Sequence, residues 1–215
     1  MANNFKNAVI PNVSADETLP STIYTVPNNM KSIAIEIEVS NNSSAGQNVT
    51  VLLEDESAGG QSDVAISNVA GTNGSTNSVF TTASAHGFSV NDRVRFNQSS
   101  GTAPGGITGG ASGTGKIYYV ASVDGATTFK IGITRDATTY IQCSSGGSSP
   151  TVRKIQLATI VRNAPLPVGG ALKVISGQKL VLEGKPSGNN HDKILAWCTA
   201  ANSIDCIASV LEDVS

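Results

Sequence analysis

Ser32-Ile33-Ala34-Ile35-Glu36-Ile37-Glu38-Val39 is the stretch that decides the fold class. Ile33, Ile35, Ile37 and Val39 alternate with Ser32, Ala34, Glu36 and Glu38. Successive side chains of a strand point to opposite faces, so this period of two predicts a strand with one aliphatic, buried face and one acidic face. Upstream, Thr22-Ile23-Tyr24-Thr25-Val26 is a second strand signal, closed by Pro27-Asn28-Asn29. Downstream, the polar run Asn41 to Gly46 reads as a turn, and Val49, Val51 and Leu53 mark a third strand.

The composition changes between Ser57 and Pro150, where Gly, Ser and Thr dominate. Short strand-like pieces remain at residues 78–82, 92–96, 116–120, 128–131 and 138–141, and four of the five Phe residues fall in this segment. A disordered linker is poor in aromatics, so the segment is read as a small folded β module. Asp124-Gly125 is taken as its hairpin turn. The loops Asn97 to Gly115 and Ser144 to Ser149 are expected to be mobile. After Pro150 the aliphatic alternation of the N-terminal segment returns. Strand signals lie at 154–161, 172–174, 180–182, 194–197 and 207–211, with Pro165 to Gly170 as a rigid turn. The expected fold is all-β. Residues 1–60 and 151–215 together form one β-sandwich, jelly-roll or immunoglobulin-like, split by an inserted β module at 61–150. Met1 to Val13 shows little periodicity and reads as an arm that orders on assembly.

Composition narrows the function. The chain has 215 residues, 39% hydrophobic and 14% charged, against roughly 25% charged in an average globular domain. A net charge of −2 leaves no basic stripe for phosphate contacts, which argues against nucleic-acid binding. No apolar run approaches the ~20 residues of a membrane helix, so no membrane partner is expected. The first ten residues lack the apolar core of a signal peptide, and synthesis in a cytosol is expected. Three cysteines, Cys143, Cys198 and Cys206, argue against a disulfide framework. Cys198 and Cys206 flank a turn and would face each other if their strands formed a hairpin; reduced core residues is the favoured reading.

The motifs give little chemistry. His86 and His191 have no ligand-spaced neighbours, so a turn histidine and a solvated loop histidine are expected, with no metal. No nucleophile elbow is present. Gly113-Thr114-Gly115-Lys116 resembles the end of a phosphate loop, but Ile117 follows where Ser or Thr is required. Glu36 and Glu38 share one strand face and are capable of acid–base work; a solvated or partner-facing pair is the favoured reading. Tyr118 and Tyr119 point oppositely, so at most one offers a stacking platform for sugars. Trp197, in an apolar run, is assigned to the core. No catalytic, cofactor or metal residue is assigned.

Two stretches carry a resemblance. Thr81 to Phe96, with Tyr118-Tyr119-Val120 and Thr128-Phe129-Lys130-Ile131, resembles a small β module found repeatedly in phage tail and virion proteins. The flanks resemble short virion proteins of marine and cyanobacterial tailed phages. The matching pieces are Met1 to Lys6, Ile23 to Pro27, Ala164 to Leu172, Gln178 to Glu183 and Ala208 to Glu212. Such proteins lack the insertion and are described as structural. The resemblance implies a non-enzymatic virion protein assembled in the host cytoplasm. Its partners would be other phage structural proteins and copies of itself. Capsid decoration or cement is favoured over a neck, tail or fibre position, and over an adhesin whose insertion binds host glycans.

Overall fold

The computed structural model describes residues 4–56, 62–72, 77–97, 101–109, 115–185 and 191–213. All regular structure among them is β. The chain divides into two compact units: Met1–Gly59 with Gln156–Ser215, and Gly60–Ile155.

The first unit is a sandwich of two antiparallel sheets. One holds β1 (Asn4–Ile10), β15 (Ile204–Glu212), β3 (Lys31–Asn41) and β12 (Ala171–Ile175), in that order. A further strand, β13 (Leu180–Glu183), also pairs with β3. β12 pairs with the second half of β3 and β13 with the first, so the two occupy one strand position interrupted at 176–179, where Gly177 has φ 77°. The other sheet runs β11 (Leu157–Leu166), β4 (Gln47–Glu54), β14 (Lys193–Cys198), β2 (Ser21–Thr25). With β12 and β13 counted as one strand position, every connection crosses between the sheets except β4 to β11, which pair with each other. Eight strand positions in this order make a jelly roll, a double Greek key. Its core is drawn from alternate residues of both sheets, including Ile37, Val39, Ala208 and Val210 from one and Val49, Val51, Ile194 and Ala196 from the other.

The second unit is a closed barrel of six strands: β10 (Thr151–Lys154), β5 (Val64–Ala70), β6 (Val79–Thr82), β9 (Thr128–Gly132), β8 (Ile117–Gly125) and β7 (Arg93–Asn97). Closure removes the open edges that a small sheet otherwise exposes. The barrel fills with aromatics. Phe80 lies 5.2 Å from Phe96 and 5.5 Å from Phe129, and Phe88 stands edge-on to Phe129 at 5.2 Å. Edge-to-face and offset contacts at these spacings are favoured by the ring quadrupole.

Several expectations need correction. Thr151–Lys154 pairs with β7 and β5, so the second unit runs to Ile155, not to 150. Residues 4–10 form a seven-residue strand on β15, not an arm awaiting assembly; Met1 to Asn3 lie outside the described residues. Thr138–Ile141 form no strand. The β8–β9 turn is Ala126-Thr127, with Gly125 opposite Thr128, while Asp124 stays in β8 and pairs with Lys130 at 2.8 Å. Pro165 and Leu166 belong to β11, and the turn is Pro167–Gly170, closed by Gly170 N donating to Pro167 O at 2.9 Å. In the two loops expected to be mobile, residues 101–109 bond to 144–148: Ser148 N donates to Thr102 O, and Ser144 N to Gly105 O, both at 2.9 Å. Cys198 and Cys206 cannot form a hairpin pair because β14 and β15 lie in different sheets; all three cysteines are free and buried.

Candidate functional site

The Ser32–Val39 stretch carries a fault in its alternation. Along β3 the ladder to β15 runs Ile37↔Ala208, Glu36↔Ser209 and then Ala34↔Val210, skipping Ile35. This is a β-bulge: one extra residue on β3, after which the faces exchange. Ala34, Ile37 and Val39 point into the core, while Ile33 and Ile35 join Glu36 and Glu38 on the outside. The single aliphatic face read from the sequence is therefore wrong at half its positions, because a period of two holds only while the register is unbroken.

The consequence is an apolar row on the outer face of the sheet. Phe5 of β1 lies opposite Leu211 of β15, Leu211 opposite Ile33 of β3, and Ile33 opposite Val181 of β13. Directly paired residues of an antiparallel sheet point the same way, so these four form one line across four strands. Phe5 is 73% exposed and Val181 57%. A second, shorter row joins Val9 to Ile207, which are 56% and 44% exposed. Isolated surface aliphatics are ordinary; a contiguous set is a sign of an interaction surface.

Both lysines on this face are paired within it. Lys173 Nζ lies 2.7 Å from Glu36 Oε1, and Lys31 Nζ 3.1 Å from Glu183 Oε1. The Glu36 carboxylate, first by its hydrogen bond, holds the Lys173 amine above the usual lysine range. Glu36 and Glu38 do share an exposed face, but Glu36 is engaged by Lys173, and Glu38 stands opposite Lys173 in the ladder.

The other candidate residues are placed apart. His86 is buried in the barrel, where its Nδ1 accepts from Phe88 N at 2.9 Å and its ring stacks on Phe88. His191 is buried, not solvated, and its Nδ1 accepts from Lys185 N at 3.2 Å. Tyr118 is buried, its hydroxyl accepting from Thr108 N at 2.8 Å; Tyr119 is half-buried beneath the Arg93 guanidinium. Trp197 points away from the core cluster of its own sheet, whose members on that strand are Ile194, Ala196 and Cys198. Gly113 and Thr114 lie outside the described residues, and Lys116 leads into β8. Among the described residues no three His, Cys, Asp or Glu side chains are grouped for a metal.

Sequence reasoning missed Phe5, Val181 and Leu211. One signal was present: in Cys206-Ile207-Ala208-Ser209-Val210-Leu211 both alternating sets carry apolar residues, the pattern of a strand covered on two sides. The chain matches no protein-family model, and comparison with curated proteins and with solved structures gives no significant match.

Proposed function

We propose that this chain is a non-enzymatic structural subunit of a tailed-phage particle, most favourably a capsid decoration or cement protein, and that its exposed sheet face receives a second copy of the same chain. The apolar row Phe5–Leu211–Ile33–Val181 is the observation that carries the assembly reading. A two-fold contact uses one patch on both partners, and this patch suits it. Its exposed apolar groups gain by mutual burial, and both of its lysines are already paired with glutamates, which limits the uncompensated charge that a facing copy brings. The low overall charge limits repulsion between repeated copies. The virion assignment rests on the resemblance of the flanks and the inserted module to phage structural proteins.

The deciding measurement is the copy number per purified virion, by quantitative mass spectrometry against the major capsid protein. Hundreds of copies support decoration, and a few rings' worth moves the chain to the neck, tail or fibres. Absence from particles ends the virion reading. The assembly face is tested separately by light scattering. Phe5→Asp with Val181→Asp is expected to convert an oligomer to a monomer without altering Trp197 fluorescence. A wild-type monomer at high concentration refutes the copy-to-copy contact.

A further inference from the structure

We infer that the inserted barrel carries a binding groove for neutral carbohydrate, a role separate from assembly through the jelly roll. The groove, of about 620 Å³, is bounded by the irregular segment 133–142 after β9 and by Asn77 and Gly106. Ligand pockets for small organic molecules span ~300–1,000 Å³, so the space suits one or two sugar rings.

Its lining selects the ligand class. Amides come from Asn77 and Gln142, and hydroxyls from Thr138 and Thr139. The Tyr140 ring and the exposed side chain of Ile133 supply apolar surface. No lysine, arginine or histidine is among the described residues lining it, which disfavours phosphate, sulfate or nucleic acid. The nearby Lys130 ammonium, 5.5 Å from the centre of the Tyr140 ring, is held by Asp124 at 2.8 Å. The one carboxylate, Asp136, sits 3.9 Å from the guanidinium of Arg135. A ligand rich in hydroxyls, with apolar ring faces and no net charge, meets amides as paired donor and acceptor and an aromatic surface for its C–H face.

The wall is pinned although it belongs to no sheet. Asn91 and Asp136 exchange hydrogen bonds: Asn91 Nδ2 donates to Asp136 Oδ1 at 2.7 Å, and Asp136 N donates to Asn91 Oδ1 at 2.9 Å. Ile141 N donates to Ile131 O at 2.8 Å, and Ser78 N to Ile141 O at 3.2 Å. Ala137 packs onto Gly132 so closely that a Cβ there would lie 2.2 Å from the alanine methyl. A wall fixed before binding loses little entropy when a ligand enters.

The test is a titration of the isotopically labelled full chain, followed by amide chemical shifts. The probes are maltotriose, cellotriose, mannotriose, chitotriose and lactose, with 6′-sialyllactose as the anionic comparator. At least one uncharged probe is expected to bind with Kd of ~0.1–10 mM, shifting amides of 133–142 and Asn77. Tyr140→Ala and Gln142→Ala are each expected to weaken it about tenfold or more, one lost aromatic or hydrogen-bonding contact. Gln142 is exposed, so its variant keeps the test valid if Tyr140→Ala unfolds the barrel. Failure of every uncharged probe, shifts mapping elsewhere, or tighter binding of the sialylated sugar overturns the inference.

Discussion

Removing the Asp192 carboxylate is expected to destabilise the jelly roll by about 3–6 kcal/mol. Asp192 is buried just before β14, and each side-chain oxygen takes a backbone donor from a different segment. Oδ1 accepts from Glu56 N, past the end of β4, and Oδ2 from Glu183 N, at the end of β13, both at 2.9 Å. Its own amide donates to Glu183 O at 3.2 Å, and its carbonyl accepts from Val26 N at 3.1 Å; these backbone bonds survive a side-chain change. Hydrogen bonds to a charged acceptor contribute ~1.5–3 kcal/mol each, and a buried donor left without an acceptor carries its desolvation cost. Asp192→Ala loses both bonds, hence the stated range. Asp192→Asn keeps one acceptor and turns an NH2 group toward the second donor, for a loss of about 2–3 kcal/mol. Trp197, the only tryptophan, lies in β14 of the jelly roll, so its fluorescence during urea unfolding reports this unit. An Asp192→Ala loss below about 1 kcal/mol at unchanged m-value refutes the clamp.

Three further outcomes follow from the same geometry. Burial pushes the Cys206 thiol up to about 12 and also raises Cys198 and Cys143. An unfolded thiol titrates near ~8.5, so this stability is complete below that pH and is lost as pH rises toward 12; urea midpoints are expected to fall above pH ~8.5, less steeply in Cys206→Ala. Tyr24→Phe removes a hydroxyl that donates to Glu212 Oε1 and bonds Ser32 Oγ, each at 2.8 Å; a loss of about 1–2 kcal/mol in urea unfolding is expected. Asp55 N donates to Gln156 O at 2.9 Å, so the chain leaves and re-enters the jelly roll side by side. Replacing residues 56–155 with Asn-Gly, a hairpin turn, is therefore expected to leave a chain with one cooperative transition by Trp197 fluorescence, and a chain that fails to fold contradicts this.

The sequence reveals the all-β class because β-branched alternation in Ile33–Val39 and the short strands between Gly, Pro and Asn turns have local causes. It conceals what depends on partners. The bulge at Ile35 is a mismatch between two strands far apart in sequence, and nothing within β3 marks it. β10 reads as part of the flank because it follows the end of the Gly/Ser/Thr-rich run at Pro150, yet its ladder partners lie in the barrel. His191 looks solvated beside Asn189 and Asn190, but its acceptor nitrogen serves the backbone of Lys185. Tyr140 is placed in a strand by its β propensity, whereas Ala137 against Gly132 and the Asn91–Asp136 exchange give the segment another shape. Pairing of Phe5 with Leu211 spans nearly the whole chain, so the exposed row is a property of topology and of no single segment.

The placement of the barrel between β4 and β11 has a kinetic side. Those strands are neighbours in the finished sheet, but in an unfolded chain residues 56–155 separate them. Each doubling of loop length adds ~0.6 kcal/mol to the entropy of closure, so bridging about 100 residues instead of two costs about 3 kcal/mol more. When β5 and β10 pair, Val64 and Val152 stand side by side, and the distance to be closed shrinks to the few residues on either flank. A barrel that collapses first would act as an internal splint, bringing together the two host strands that no short turn connects.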